Sequence, residues 1–516
     1  MIFATRELKE RIEKNIERLT DKNYCAPDIF SNGGDWPGDW QGRAILALCM
    51  QYEAGNRASE SIFRQVKEII DALPREVNED GYFGNKANGE SVNEQQLSGN
   101  SWFVRGLCAY YRITGEKRIY NLLAGIGEKM FLPLKKFIEK YPVGERIVGG
   151  VGGHIVKRST EGWELSSDVG CAFISLDGLT DLCGIVKNPE FLSLAETMAD
   201  KFLSFDYCGC KFQTHAMLSG TRGVLRLAEL TGKRSYLQSA EKNFALYASE
   251  GTTVNYANFN WFRRPQTWTE PCAFVDSLIL ALDLYKATKK EEYLRFGNRV
   301  YLNAFRSAQR KNGGAGCETC LWENNDELRI QLYEANFCCS MRFADGLNCV
   351  REHSVLAEKS GEYAAYFTTG GEWISEDCEF AYTFDLKNSA AAVEVKKGRI
   401  GSLRLYMPEG VRLLAEERSG KVADFEGPFA VLKDLACGIH TFPLSIRPTE
   451  EVRAGRTVRF FADYLLTEKR YRDNSPIGLR FGERVFSPFG DCVTAEETCG
   501  ANAYVQKIGR ASCRER

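Results

Sequence analysis

Two short stretches carry residues able to do metal chemistry, Glu270-Pro-Cys272 and Cys338-Cys339. Three thiolates and one carboxylate suit a tetrahedral Zn²⁺ and suit few other metals. A free thiol is only a few per cent thiolate at neutral pH, and zinc coordination deprotonates it outright. The plainer reading is four unrelated core residues. A competing set also exists, because Cys317-Glu318-Thr319-Cys320 is a Cys-x-x-Cys step. With Cys338-Cys339 it would make an all-cysteine structural site closed to substrate. Composition leaves both sets open.

The elements that must position these residues are helical. Phe274, Val275, Leu278, Ile279 and Leu282 recur at helical spacing, so Cys272 falls at or just before a helix start. Pro271 then sits near the first helical position, where its missing N–H costs nothing, and the helix dipole favours anionic forms of Glu270 and Cys272.

The same pattern of apolar helix, polar turn and second helix recurs over the first ~350 residues. Its instances run from Trp40 to Asn56, Trp102 to Tyr120, Cys171 to Phe191, Met217 to Tyr236 and Cys272 to Tyr293. With a sixth around Arg342 to Val350, these hairpins predict a closed toroid, an (α/α)6 barrel. From about residue 355 the period becomes two. Tyr382, Phe384 and Leu386 alternate with Thr383 and Asp385, and Leu403, Leu405 and Met407 with Arg404 and Tyr406. That predicts a β-sandwich after the barrel, with domains at 1–354 and 355–507. Residues 508–516 resemble a translated sequencing adapter and are set apart as a non-native tail.

Charge narrows the partners. The 516 residues hold 67 basic and 69 acidic side chains, a formal net charge of −2, which leaves no electrostatic footprint for nucleic acid or an anionic membrane. The N-terminus enters a charged helical pattern without an apolar core of signal-peptide length, so a cytoplasmic protein is expected. Its 18 cysteines are expected to be mostly reduced, buried and hydrophobic in character.

Three stretches rich in Gly, Trp and Asn lie between the hairpins, at 32–41, 95–102 and 255–264. Rings stack on sugar C–H faces and amides pair with hydroxyls, so Trp102, Trp261 and Trp268 are candidate sugar contacts. Rim packing is the alternative for each. Arg263 and Arg264 could pair with an acidic sugar.

Glu270-Pro-Cys272, the helix Ala273 to Tyr285, the partner helix through Tyr301-Leu-Asn-Ala304 and then Cys338-Cys339 resemble the β-L-arabinofuranosidase family of glycoside hydrolases (family 127 and relatives). That family reads Glu-Thr-Cys, a helical hairpin ending near Leu-Tyr-Asn, and Cys-Cys-Pro-Pro. The resemblance extends through His215 to Gly220 and into the β part. It implies zinc held by Glu270, Cys272, Cys338 and Cys339, with Cys338 as the nucleophile of a retaining glycosidase on a carbohydrate substrate.

The chain departs from the family on the sugar side. Where an acid/base Gly-Glu-Ser-like loop is expected it has Thr252 to Asn258, which leaves Glu250 as the nearest carboxylate. His215 falls at a sugar-binding position, Asn100 and Ser101 stand where Gly-His is expected, and Cys-Cys-Ser-Met replaces Cys-Cys-Pro-Pro. The second reading is a non-hydrolytic glycan-binding toroid with a structural zinc. A peptide-thiol-activating toroid enzyme would need a Cys-His zinc pair, and no cysteine here is followed by histidine.

Overall fold

The structure, a computed structural model, describes residues 2–3, 6–31, 34–55, 57, 59–142, 155–322, 331–386, 388–414, 424–467, 479–481 and 484–488. The tail at 508–516 and residues 489–507 lie outside the described residues.

Among the described residues twelve helices have ten residues or more. They are α1 (Arg6–Leu19), α2 (Asp39–Ala54), α3 (Glu60–Glu76), α4 (Glu94–Thr114), α5 (Lys117–Ile126), α6 (Ile174–Ile185), α7 (Pro189–Leu203), α8 (Thr214–Thr231), α9 (Arg234–Leu246), α10 (Pro271–Thr288), α11 (Glu291–Val300) and α12 (Cys339–Ser354). The even-numbered helices each pack on the next, and α12 packs back on α2, closing an inner ring of six. The odd-numbered helices form the outer layer, so the chain is an (α/α)6 toroid. The sixth pair differs from a local hairpin: α12 takes α1, from the other end of the chain, as its outer partner. Asn15 Nδ2 in α1 donates to Ser340 O in α12 at 3.0 Å.

The inner ring is tight because glycines sit where its helices cross. A Cβ on Gly42 would lie 2.1 Å from Phe103 N, and one on Gly106 would lie 2.6 Å from Gly42 O. The α2–α4 contact therefore requires glycine on both sides. This ring also corrects one expectation: residues 95–102, read above as a loop, belong to α4. Helix α4 is buried on nearly all sides of its first four turns, so its polar residues face other helices rather than solvent.

Every element after Ser354 among the described residues is a strand. With β1 at Ile2–Phe3, β2 at Trp268–Thr269, β3 at Gly316–Thr319 and β4 at Gln331–Glu334, the strands of the sandwich follow as β5 (Leu356–Lys359), β6 (Glu362–Ala365), β7 (Gly371–Ile374), β8 (Glu379–Asp385), β9 (Ala390–Lys397), β10 (Ile400–Tyr406), β11 (Val411–Leu413), β12 (Asp424–Glu426), β13 (Phe429–Leu435) and β14 (Gly438–Ile446). One sheet runs β1-β7-β8-β9-β14-β11 and the other β12-β13-β10-β6-β5. Phe380, Tyr382, Val393 and Val395 from the first pack with Leu403, Leu405 and Leu432 from the second in one core. Alternation explains this face, since strand side chains point to opposite sides in turn. Tyr406, on the other face, is also buried, against the helical part through Phe429 and Asp463.

Candidate metal centre

Glu270 precedes α10 in extended conformation and Pro271 opens the helix, which places Cys272 in its buried first turn. Cys338 immediately precedes α12, and Cys339 is its first residue. Neighbouring inner helices thus bring both cysteine motifs to one end of the ring, where helix N-termini favour anions. A ligand atom from each of Glu270, Cys272, Cys338 and Cys339 lies within 4.8 Å of all the others. It is the one such group among the described residues. The Cys272 and Cys339 sulfurs are 3.5 Å apart, and those of Cys338 and Cys339 are 3.4 Å apart. A tetrahedral zinc with Zn–S bonds of about 2.3 Å sets its sulfurs about 3.8 Å apart. Those two sulfur pairs fit that ion after a shift of a few tenths of an ångström.

The competing set does not converge in this way. The pairing of β2 with β3 places Thr269 opposite Glu318, and Cys317 lies beside Cys339. Cys320, however, turns its thiol to Asn258 O at 3.7 Å. All described cysteines are free thiols, buried except for half-buried Cys25 and exposed Cys437.

Around the four donors are groups that compensate their charge. Three thiolates and one carboxylate on Zn²⁺ leave two formal negative charges. Arg43 Nη1 donates to Cys272 Sγ at 3.5 Å, and His215 Nδ1 lies 3.4 Å from Glu270 Oε1. The other ring nitrogen of His215 is 3.4 Å from Asp276 Oδ2, and the ring stacks on Trp102. Burial works against the charged imidazole, but the Glu270 carboxylate and hydrogen bonds to Asp276 and Glu270 prevail and raise His215 to about 10. Asp276 is held well below the usual carboxylate range: burial opposes this, and Arg342 and Arg222 outweigh it. Hydrogen bonds from Cys272 and Cys339 draw the Cys338 thiol below its ordinary value, whereas burial drives Cys339 up.

The outer oxygen of Glu270 has its own partners. Asn260, oriented with its amide nitrogen toward the carboxylate, donates to Oε2 at 2.7 Å and accepts from Trp268 Nε1 at 3.3 Å. Gln213 Nε2 reaches the same oxygen at 3.4 Å, and Asn258 Oδ1 accepts from the Glu270 N–H at 2.8 Å. Glu270 is thereby fixed at both oxygens.

Several sugar-facing expectations change with this geometry. Asn100 is fully buried; its amide is spent on Phe83, Gln96 and Pro37 backbone groups, so it fastens loops instead of offering a hydroxyl partner. Trp102 is also fully buried, with the guanidinium groups of Arg43, Arg105 and Arg342 over its ring at 3.8, 4.4 and 4.7 Å. Trp261 is buried edge-on to Trp268, while Trp268 keeps a partly exposed face. His215 is buried behind Glu270 and contacts it and Asp276. Glu250 lies exposed on the π-helical turn Tyr247–Gly251, in the neighbourhood of Cys208 and Arg263.

Sequence reasoning missed Asp39, Arg43, Gln213, Asn260 and Asp276. An Asp39–Arg43 pair at helical i,i+4 spacing just after a Trp-rich stretch was the one available signal.

No family model and no curated protein matches the chain. Solved structures do. A GH127 β-arabinofuranosidase superposes with a TM-score of 0.57 at 10% identity, covering 89% of this chain and 79% of that one. A GH127 β-L-arabinofuranosidase from Geobacillus stearothermophilus T6 gives 0.58 at 12% identity, over 93% and 88%. A structure described as a glycoside hydrolase gives 0.59 at 11%, over 90% and 81%. The chain shares their fold. At these identities the likeness is one of architecture, a helical toroid followed by a β-sandwich. Among the described residues no helix is long and apolar enough to cross a membrane.

Proposed function

We propose that the protein is a retaining glycoside hydrolase of the β-L-arabinofuranosidase kind, acting on a terminal sugar with Cys338 as nucleophile. The observation that carries this reading is the convergence of Glu270, Cys272, Cys338 and Cys339 at one end of a toroid that shares its fold with β-arabinofuranosidases. The four residues would hold Zn²⁺, which supplies deprotonation of the thiols and a fixed direction for them.

The chain's own residues do the rest. Cys338, at the start of α12, presents sulfur where the helix dipole favours a thiolate. Attack on the anomeric carbon forms a C–S bond and expels the leaving group, and water then displaces the sulfur, so configuration is retained. Arg43 holds Cys272, and His215, Asn260 and Gln213 hold Glu270, so the nucleophile is not free to drift. Trp268 and the exposed Phe337 and Tyr333 offer rings near the cluster to stack on a sugar face.

The test is a panel of aryl glycosides that includes p-nitrophenyl β-L-arabinofuranoside, with zinc content measured in parallel. Release by the wild type is expected to fall on the order of 10³-fold or more in Cys338→Ser. A wild type that carries zinc and releases nothing across the panel would leave the non-hydrolytic glycan-binding reading in its place.

A further inference from the structure

The glycosidase reading requires a proton donor opposite Cys338, and Glu250, exposed near Cys208 and Arg263, is poorly placed for it. The carboxyl groups around the cluster differ sharply in what they have left to offer. Glu270 is committed as a donor to the metal. Asp276 is fully buried between Ser219, Arg222 and Arg342. Glu334 is taken by Arg18, Asn312 and Ser340. Asp39 is unlike all of these.

We propose that Asp39 is the general acid and base of the reaction, delivered to the thiolate cluster by Arg43. Asp39 is the first residue of α2. Its Oδ1 accepts from Arg43 Nε at 2.7 Å, and the same guanidinium donates to Cys272 Sγ at 3.5 Å, so one rigid planar group ties the carboxyl to a metal-binding sulfur. The Arg43 guanidinium carbon lies over Trp102, 3.8 Å from the ring centroid, which braces that bridge.

The backbone is fixed as well. Gly38 has φ +86°, with its missing Cβ facing Asn100 and Phe83 at 3.1 Å, and the Asp39 N–H donates to Trp36 O at 3.1 Å. The carboxyl keeps 12% of its side-chain surface exposed, in contrast to the sealed Asp276, so a proton can reach it. Arg43, His215 and Glu270 are the charged groups that face it. Burial pushes its pKa up despite Arg43, whereas Arg342 and Arg222 hold Asp276 well below the usual carboxylate range; environments that push two carboxyls apart in this way are how acid and base roles are divided.

The step balances without an outside reagent. The protonated Asp39 gives its proton to the glycosidic oxygen as the C–O bond breaks and the Cys338 sulfur forms its bond to the anomeric carbon. In the second half the Asp39 carboxylate takes a proton from water as the water oxygen bonds to that carbon, and the C–S electron pair returns to sulfur.

This assignment rests on the glycosidase reading, and the experiment separates the two. Zinc-loaded wild type, Asp39→Asn and Asp39→Glu would be assayed on methyl and 2,4-dinitrophenyl β-L-arabinofuranosides, with and without azide, alongside zinc content. Asp39→Asn should keep its zinc and lose about 100-fold or more on the methyl glycoside. It should lose far less in the first burst from the dinitrophenyl glycoside, whose leaving group needs no proton. Azide, which needs no base, should restore turnover and yield the glycosyl azide, and Asp39→Glu should recover part of the methyl activity. Equal losses on both glycosides with no azide product would overturn the assignment alone. Loss of zinc together with both activities would overturn it too, because Asp39 would then act only through Arg43 and Cys272. A wild type inert toward both glycosides would overturn the glycosidase reading and this assignment with it.

Discussion

Two buried clusters of charge, one joining the helical and strand-rich parts and one around the cysteines, are built from the same residue types and differ in what they leave unmatched. At the first, Arg299 of α11 donates through Nε to Asp463 Oδ1 at 2.9 Å, and through Nη1 to Glu451 Oε2 at 2.6 Å and the Tyr256 hydroxyl at 3.0 Å. Tyr256 in turn donates to Glu451 Oε1 and Tyr406 to Asp463 Oδ2, at 2.6 and 2.9 Å. Around the cysteines, by contrast, the indole N–H groups of Trp102 and Trp261 are buried without a partner among the described residues, and thiols face thiols. Buried polar groups are paired as a rule, so unpaired indole donors beside a cluster of thiols suit a place that takes a ligand.

That contrast can be broken most forcefully at the cohesive cluster. Arg299→Ala should cost about 3–5 kcal/mol, because Asp463 is left buried and uncompensated. Urea unfolding would register the loss, while activity per folded molecule should be unchanged; an equal fall in activity would mean the clusters are coupled.

A smaller effect is expected from acid at the α1 junction, where Glu7 meets Arg306 and Arg11 at 2.7 and 2.9 Å. Burial there is outweighed by the two arginines, and the Glu7 pKa drops from 4.5 to about 2. The folded pKa lies below the unfolded one, so its stabilisation is whole above about pH 4.5 and is lost as pH falls through about 2, roughly 3 kcal/mol in all. Glu7→Gln should flatten that part of the acid limb. An unchanged limb would remove Glu7 from the account.

At the metal centre, His215→Gln should weaken zinc affinity about 10–100-fold, the range for partners that orient a metal ligand. Competition with a chromogenic chelator measures this, and an unaltered affinity would restore His215 to the sugar. Smallest of all, Cys317→Ser should leave the zinc content as it was, whereas loss of the metal would bring the all-cysteine set back.

Much of this layout was legible because local periodicity writes it into the chain. The helical spacing after Cys272 and the alternation around Tyr382 and Leu403 each reflect one neighbouring element. That Glu270, Cys272, Cys338 and Cys339 converge was legible only in part: residue type left the Cys317/Cys320 set equally open, and the family resemblance selected between the two. The direction a side chain faces within a ring was not legible. His215, Asn100 and Trp102 were assigned to the sugar because they are polar or aromatic and stand near matching positions, but an inner helix buries almost every side, so such residues can serve other helices. Arg43 gave no sign of reaching Cys272, which is 229 positions away in sequence.

The pairing of α1 with α12 has a consequence for how the protein comes into being. During synthesis α1 emerges ahead of the rest of the ring and waits for a partner that ends at Ser354, with Asn15 meeting Ser340 across 325 positions. Contacts of such separation form late. Ser340 directly follows Cys339, so a ribosome-bound fragment lacking α12 would carry Glu270 and Cys272 without the sulfurs that complete the set. The chain therefore brings the four candidate metal-binding residues together only when the ring closes, and a metal that needed all four would be taken up only by the closed ring.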